Sequence, residues 1–283
     1  MIFQQIQQHY AGLSKSHRKV ADFIMQHVDK AAFMTAAAIG ATVGVSESTV
    51  VRFAVVAGYS GYPQLQKYLQ DTIRSSLTSV QRLQAADVKL GGREEKLLDR
   101  TMAADAELIR RTLEQTDREA FAQVVQSIAQ ARRIYIQGTR SSATLASFLA
   151  LYLNILHPGV VHVDSLTYEQ MMRIGQQDMC IAISFPRYSE HTLSALRFAR
   201  DRGATTVAIT DASHSPIAQV SQHVLLAACD AASFVDSLVA PLSLINALLT
   251  ACARSQGDEV LQTLHELEEI WERYDVYAAQ EPR

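Results

Sequence analysis

Thr139, Arg140, Ser141 and Ser142 stand where the short apolar run 133–137 breaks at Gly138 and a second apolar pattern resumes. Hydroxyls and free backbone amides at a helix start make a phosphate pocket, and Arg140 can add charge. A second polar corner runs from Ser184 to His191, with hydroxyls at Ser184 and Ser189, a cation at Arg187 and Glu190 in a helical first turn. Two such corners on one rim can hold a phosphate and the polar body of a small sugar. The simpler reading of any one serine, Ser141 above all, is helix capping. Pro186 and Tyr188 read as turn and packing residues, His191 as a solvent-exposed side chain. Asp211, Ser213 and Ser215 form a third rim, read mainly as turn and cap residues, with Pro216 at a first turn.

A different chemistry lies in "AAAIGATVGVSESTVVRF", residues 36–53. Gly40 suits a close helix crossing, Gly44 a left-handed turn, and Ser46 a cap. Ile39, Val43, Val45, Val50 and Phe53 fill the wedge between two helices. Ser48, Thr49 and Arg52 are then left facing outward at the start of the second helix, where a helix-turn-helix enters the major groove of DNA. An ordinary helical hairpin is the alternative. Val55 and Val56 leave that helix poor in positive charge, so Lys15, Arg18, Lys19, Lys67 and Arg74 are candidates for phosphate contacts.

Charge distribution separates the two chemistries. Residues 1–84 carry eight Lys/Arg against four Asp/Glu, leaving 18 of the chain's 26 basic and 25 of its 29 acidic residues to the remainder. A basic head on an acidic body restricts polyanion binding to the head. Hydrophobic residues at 48% and charged residues at 19% indicate an ordered globular chain. Cys180, Cys229 and Cys252 are widely spaced, which points to buried thiols of a reducing compartment, not disulfides or a zinc site. No metal or cofactor is implied: "GTRSS" lacks the second glycine of a dinucleotide loop, and GxxxxGK[ST] is absent. The N-terminus lacks the pattern of a signal peptide, so the expected location is cytoplasmic. Residues 141–163 hold no charged side chain, yet Asn154, His157 and Pro158-Gly159 divide them into a buried helix and a buried strand instead of a membrane span.

The elements that must position these residues follow from periodicity. In the head, helices are expected over 17–28 (capped by Ser16), 35–42, 47–57 and 63–76. Residues 85–93 contain Gly-Gly and make the best linker, followed by amphipathic helices over 94–114 and 117–131. Short unalternating apolar runs at 133–137, 160–163, 179–185, 205–210 and 223–227 alternate with helical patterns at 142–156, 166–174, 190–202 and 216–220. That alternation predicts a three-layer α/β/α body around a parallel sheet of about five strands. The apolar run 234–253 needs cover from the sheet plus another element, either the helix expected over 258–274 or a second subunit.

The order of these parts resembles the RpiR/MurR family of bacterial transcriptional regulators. In the head the resemblance rests on "LSKSHRKVADFIMQH" and "GVSESTVVRFAVVAGYSGYPQLQKYL". In the body it rests on "IYIQGTRSSATLASFLALYLN" and "ISFPRYSEHTLSALRFARDRGATTVAITDASHSPIAQ". It implies an all-α helix-turn-helix domain (residues 1–84), a linker and connecting helix (85–116), and a SIS sugar isomerase-type domain (117–277) with a five-stranded parallel sheet, for effector binding and oligomerisation. The implied function is regulation of carbohydrate or related carbon catabolism. Double-stranded operator DNA is expected to meet Ser46, Ser48, Thr49, Arg52 and Lys67. A phosphosugar or sugar acid is expected to meet Thr139, Arg140, Ser141, Ser142, Ser184, Arg187 and Ser189. The family commonly has a glycine where this chain has Arg140, and SxSGxT-like chemistry where it has "SFPRYS"; the two arginines would bind an acid group or shrink the cavity.

An enzyme is not expected. Isomerisation on this fold needs a carboxylate or imidazole beside the carbonyl, and Glu169, Glu190 and His191 are the rim-adjacent candidates, none in a constellation. The alternatives are a sugar-phosphate isomerase and a metabolite sensor that binds no DNA. A homodimer or homotetramer fits a palindromic operator, and no membrane partner is expected.

Overall fold

The computed structural model describes residues 10–76, 78–83, 96–230 and 234–277; the linker expected at 85–93 lies outside them. The chain divides into two units, Met1–Gln81 and Arg82–Arg283.

The first unit is helical. Helix α1 (Lys15–Gln26) is capped by Ser14, whose extended backbone lets its hydroxyl accept from the His17 amide at 3.2 Å. Ser16, the expected cap, is already inside the helix. The single helix expected over 17–28 breaks at His27 and continues as α2 (Val28–Ala31). Thr35 caps α3 (Ala36–Val43), Ser46 caps α4 (Glu47–Val56), and α5 (Tyr62–Ser76) follows the glycine-rich break. Val20, Ile24, Ile39, Val50, Phe53, Leu65 and Leu69 are buried in one core. Tyr62 and Gln66 each donate to the Met34 carbonyl at 2.7 Å, and Gln70 to the Ala32 carbonyl at 3.0 Å, which pins α5 to the turn before α3.

The second unit opens with α6 (Leu97–Gln115) and α7 (Arg118–Gln130), the latter capped by Asp117. Five parallel strands follow: β1 (Ile134–Gly138), β2 (Val160–Val163), β3 (Met179–Ile183), β4 (Thr205–Thr210) and β5 (His223–Leu226), in the spatial order β2-β1-β3-β4-β5. β1 and β3 are buried along their full length, which is why their sequences do not alternate. On one face α7, α8 (Ser141–Leu156) and α11 (Val239–Gln256) pack against Ile134, Ile136, Ile181 and Ile183. On the other, α9 (Thr167–Met171) and α10 (Glu190–Asp201) pack against Tyr135, Cys180, Ala182 and Ala208. This is the expected three-layer α/β/α arrangement. Three expectations change in detail: 166–174 holds only the short α9, 216–220 holds a 3-10 turn (Ala218–Val220), and the apolar run from 234 becomes helical only at Val239. α11 is covered by the sheet with α6, α7 and α8, while α12 (Asp258–Arg273) buries little besides Val260. Among the described residues no single helix is long and apolar enough to cross a membrane.

A polar clamp below the sheet ties the turns that precede β1 and β3. Arg132 donates to both oxygens of the buried Asp178 at 2.9 and 2.8 Å, and the Gly175 amide donates to the same carboxylate at 2.8 Å. Burial opposes the charged carboxylate, but the guanidinium and the amide outweigh it and hold Asp178 below the usual carboxylate range. A depressed folded-state pKa contributes stability above the unfolded value near 3.9, and that contribution disappears as pH falls through the folded value. Asp178→Asn should therefore cost about 1–2 kcal/mol at neutral pH, Arg132 being half exposed. In urea melts at several pH values the gap between the two proteins should narrow below about pH 4; a gap independent of pH would contradict the assignment.

Candidate effector site and nucleic-acid interface

The strand order reverses direction at β1: the chain goes from β1 outward to β2, then returns to β3 on the other side. In open parallel sheets the crevice at such a switch point, beyond the carboxyl ends of the strands, is where ligands bind. Gly138 is in register with Ile183, so the two polar corners leave the sheet at one height and side by side.

The first corner is shaped by a close approach. A Cβ on Gly138 would lie 2.6 Å from the Ser142 carbonyl oxygen and 3.1 Å from the Ala146 Cβ, so only glycine lets α8 start this near the strand. Arg140 precedes the helix at φ 57°, ψ −128°, with no side-chain cap bond to the α8 amides. The cap reading of Ser141 is therefore corrected: it is the exposed first residue of the helix, while Ser142 is buried, at 4% exposure. Among the described residues no hydrogen bond engages the Ser142 hydroxyl. It is a polar side chain in the first turn, where the Ser142 and Ala143 amides donate to the Thr139 and Arg140 carbonyls at 3.2 and 3.1 Å.

The second corner organises itself through its hydroxyls. Ser184 is 3% exposed; its Oγ accepts from the Ser189 amide at 3.2 Å. Ser189 in turn caps α10, accepting from the Thr192 amide at 3.3 Å. Arg187, at the outer edge of the turn, has φ 66° and is exposed. Arg140 and Arg187 thus both occupy left-handed conformations that favour glycine, at a cost of about 1–3 kcal/mol each.

Side chains join the corners. Thr139 Oγ1 lies 3.2 Å from Thr192 Oγ1, directly connecting the start of α8 with the start of α10. Tyr188, read as a packing residue, donates to Asp211 at 2.9 Å, and Thr210 donates to the same oxygen at 3.3 Å, linking the second rim to the third. Ser215 accepts from the Ala218 amide at 3.3 Å as a turn residue, while Ile217 stands at the cap position of the 3-10 turn. Thr139, Ser184 and Ser189 are linked through Thr192, and Ser142 lies in the adjoining first turn of α8, its amide donating to the Thr139 carbonyl at 3.2 Å. Thr192 was missed, although its place in the first turn of a helix after a polar corner was a usable signal.

His191 is exposed, as expected, yet it is not idle. Its Nδ1 is 3.1 Å from Gln137 Nε2 and its Nε2 is 3.1 Å from Thr167 Oγ1. With Gln137 donating to Nδ1, the Nε2–H of the ring donates to the Thr167 hydroxyl oxygen, and that hydroxyl donates to the Asp164 carbonyl at 2.9 Å. Gln137 is the one amide side chain within β1, which is the trace it leaves in the sequence. Glu190 pairs with Arg197 at 3.5 Å on the outside of α10. Burial pushes the thiols up, Cys180 to about 12 and Cys252 to about 11, so neither supplies a thiolate at neutral pH.

Behind the rim, Arg82 is nearly buried and pairs with Asp236 at 2.6 Å. Ser237 beside it donates to Asp105 of α6 at 2.6 Å, and the Thr112 hydroxyl of α6 accepts from the Ala228 amide at 2.8 Å. The segment after β5 is thereby fastened to α6 and to the residue that begins this unit. Partners 154 positions apart leave no sequence signal.

In the first unit α3 and α4 cross at 105° around a left-handed Gly44 (φ 71°). A Cβ on Gly40 would sit 2.8 Å from the Val45 carbonyl oxygen, so the crossing needs glycine there. Ile39, Val50 and Phe53 fill the wedge as expected, whereas Val43 and Val45 are only half-buried. Ser48, Arg52 and Lys67 are exposed. Thr49, expected to face outward, is half-buried, because Ser46 Oγ gathers the local hydroxyls: it accepts from the Thr49 amide at 3.3 Å and lies 2.9 Å from Ser48 Oγ and 2.8 Å from Thr49 Oγ1.

Comparison with known proteins agrees with both halves. Residues 1–76 match the family described as "Helix-turn-helix domain, rpiR family", and residues 127–251 the family described as "SIS domain". The sugar isomerase domain of an RpiR transcription factor from Sphaerobacter thermophilus is 32% identical with a TM-score of 0.59, over 62% of this chain and 99% of that one. The HTH-type transcriptional regulator HexR of Escherichia coli K12 is 26% identical over 276 residues, 95% of this chain and 93% of the relative. The Vibrio vulnificus NanR protein complexed with ManNAc-6P shares the fold at a TM-score of 0.62 and 23% identity, over 99% of this chain and 100% of that one. The chain belongs to the RpiR family of helix-turn-helix transcriptional regulators that carry a SIS domain.

Proposed function

We propose that this DNA-binding regulator is controlled by a small anionic metabolite, a phosphosugar or sugar acid, held in the crevice between the β1 and β3 corners. The observation that carries the reading is the chain of contacts that joins Thr139, Thr192, Ser189 and Ser184 at the switch point. Two helix starts and several short hydroxyls suit a phosphate, and the NanR protein of similar fold is bound to ManNAc-6P. Ser141, Arg140 and Arg187 border this crevice. Operator DNA meets Ser46, Ser48, Arg52 and Lys67, with Thr49 acting through the cap. The protein is cytoplasmic and works as a homodimer or homotetramer, which presents two heads to half-sites about 34 Å apart or a multiple of that.

The site acts by binding, not by bond chemistry. His191 is occupied by Gln137 and Thr167, and Glu190 pairs with Arg197, so two of the three rim-adjacent acid-base groups already have partners, while Glu169 stands exposed on α9. Regulation then needs only a ligand that prefers one arrangement of the assembly: a tenfold preference supplies about 1.4 kcal/mol. The test is a fluorescence titration of the full chain on its operator, alone and with a panel of phosphosugars and sugar acids, with products monitored. One member should shift operator affinity while being recovered unchanged, and Arg52→Ala should weaken specific binding by about 1–3 kcal/mol. Turnover of the ligand, or no response to any member, would reject the effector reading; unchanged specificity of Arg52→Ala would reject that contact.

A further inference from the structure

The outward face of α4 is more apolar than a solvent-facing helix should be. Val50, Phe53, Ala54 and Ala57 are buried, so the opposite stripe runs through Ser48, Arg52 and Val55, flanked by Val51 and Val56. Val51 is 37% exposed, Val55 55% and Val56 48%, and Arg52 is the helix's single cation. The hydroxyls that would read bases are partly spent: Ser46 draws Ser48 and Thr49 into its cap cluster. Besides Ser48, the exposed side chains on this face are Arg52 and the valines Val51, Val55 and Val56, of which Val51 and Val55 lie one turn apart and flank Arg52 in sequence. In the major groove an apolar side chain has one distinctive partner, the C5-methyl of thymine.

We infer that Val51 and Val55 are specificity-determining residues that pack on thymine C5-methyl groups, so that the operator half-site carries T·A pairs beside the base read by Arg52. The occupant of this face is duplex DNA and not another protein surface. α4 is the second helix of a helix-turn-helix, and it sits on a unit, Met1–Gln81, with seven basic against four acidic residues, complementary to a polyanion. The inference rests on the DNA-binding reading of that helix and adds what it reads.

The experiment starts from duplexes selected from a random-sequence pool by the full chain. The enriched half-site should contain invariant T·A pairs. Replacing those thymines by deoxyuridine removes only the methyl groups, and should weaken the wild-type chain by about fourfold per methyl, the worth of one buried methylene-sized group. Val51→Ala or Val55→Ala should bind the thymine duplex less tightly and lose the discrimination at one position each. Both side chains are exposed, so circular dichroism and the melting temperature should stay close to wild type. Equal wild-type affinity for thymine and uracil duplexes, or an enriched site without invariant T·A pairs, would overturn the inference while leaving DNA binding intact. A change in assembly mass of the alanine variants, with uracil tolerated, would assign the face to a second copy. Failure to enrich any duplex would defeat the DNA reading of α4 itself, and this inference with it.

Discussion

Gly40→Val should unfold the crossing between α3 and α4 and abolish specific operator binding. The side chain would enter a space where even a Cβ is 2.8 Å from the Val45 carbonyl oxygen and 3.3 Å from the Glu47 amide nitrogen. Both are backbone atoms at the turn, so relief requires the two helices to separate. Overpacking of this kind costs about 3 kcal/mol. The helical propensity gained on leaving glycine is about 1 kcal/mol at most and smaller for a β-branched residue, so it does not offset the clash. Separation would expose Ile39, Val50 and Phe53, which close the wedge. Differential scanning calorimetry of the full chain should show the transition of the first unit lowered and that of the second unchanged, and fluorescence anisotropy should show at least a hundredfold loss of operator affinity, about 2.7 kcal/mol. An unchanged melt with normal binding would mean that α3 and α4 do not pack through Gly40.

Gly138→Ala should remove effector binding while sparing the DNA-binding head. The added methyl would meet the Ser142 carbonyl oxygen at 2.6 Å, the Ser142 carbonyl carbon at 3.0 Å and the Ala146 Cβ at 3.1 Å. Its backbone is ordinary strand geometry, so the penalty is steric, not conformational. The first turn of α8 must retreat from β1, and it carries Ser141, Ser142 and the approach from Thr139 with it. A displacement near 1 Å parts the Thr139–Thr192 contact that joins the corners, and hydrogen bonds weaken steeply beyond normal geometry. The cost to the second unit should be about 1–3 kcal/mol. Isothermal titration with the active member of the phosphosugar panel should show no binding, and operator affinity without ligand should stay at the wild-type value. Retained ligand binding would move the effector site away from the first corner.

How far the sequence reached depended on whether a feature was local. The helix-turn-helix was legible because its determinants lie within 36–53: Gly40 for the crossing, Gly44 for the left-handed turn, Ser46 for the cap. The sheet was legible because β1 and β3, covered on both faces, must be apolar without alternation. The departures at Arg140 and Arg187 were visible as side chains in place of glycine. That both fall at positive φ, 57° and 66°, required the backbone.

Thr49 and His191 show where reading by residue type stops. The hydroxyl of Thr49 looks available for a base until Ser46, three residues earlier, is seen 2.8 Å away. His191 reads as a solvated side chain until Gln137 and Thr167, from two other elements, approach its two nitrogens. Composition and spacing alone determined a helix-turn-helix and an α/β sheet that ends in two polar corners, since turns, caps and hydrophobic periodicity act over a few residues. Tertiary structure alone decided that the β1 and β3 corners touch, that Arg82 answers Asp236 and that Arg132 answers Asp178. Those partners lie 53, 154 and 46 positions apart, and only the parallel crossovers of the sheet and the packing of α6 bring such distant charges and hydroxyls within bonding range.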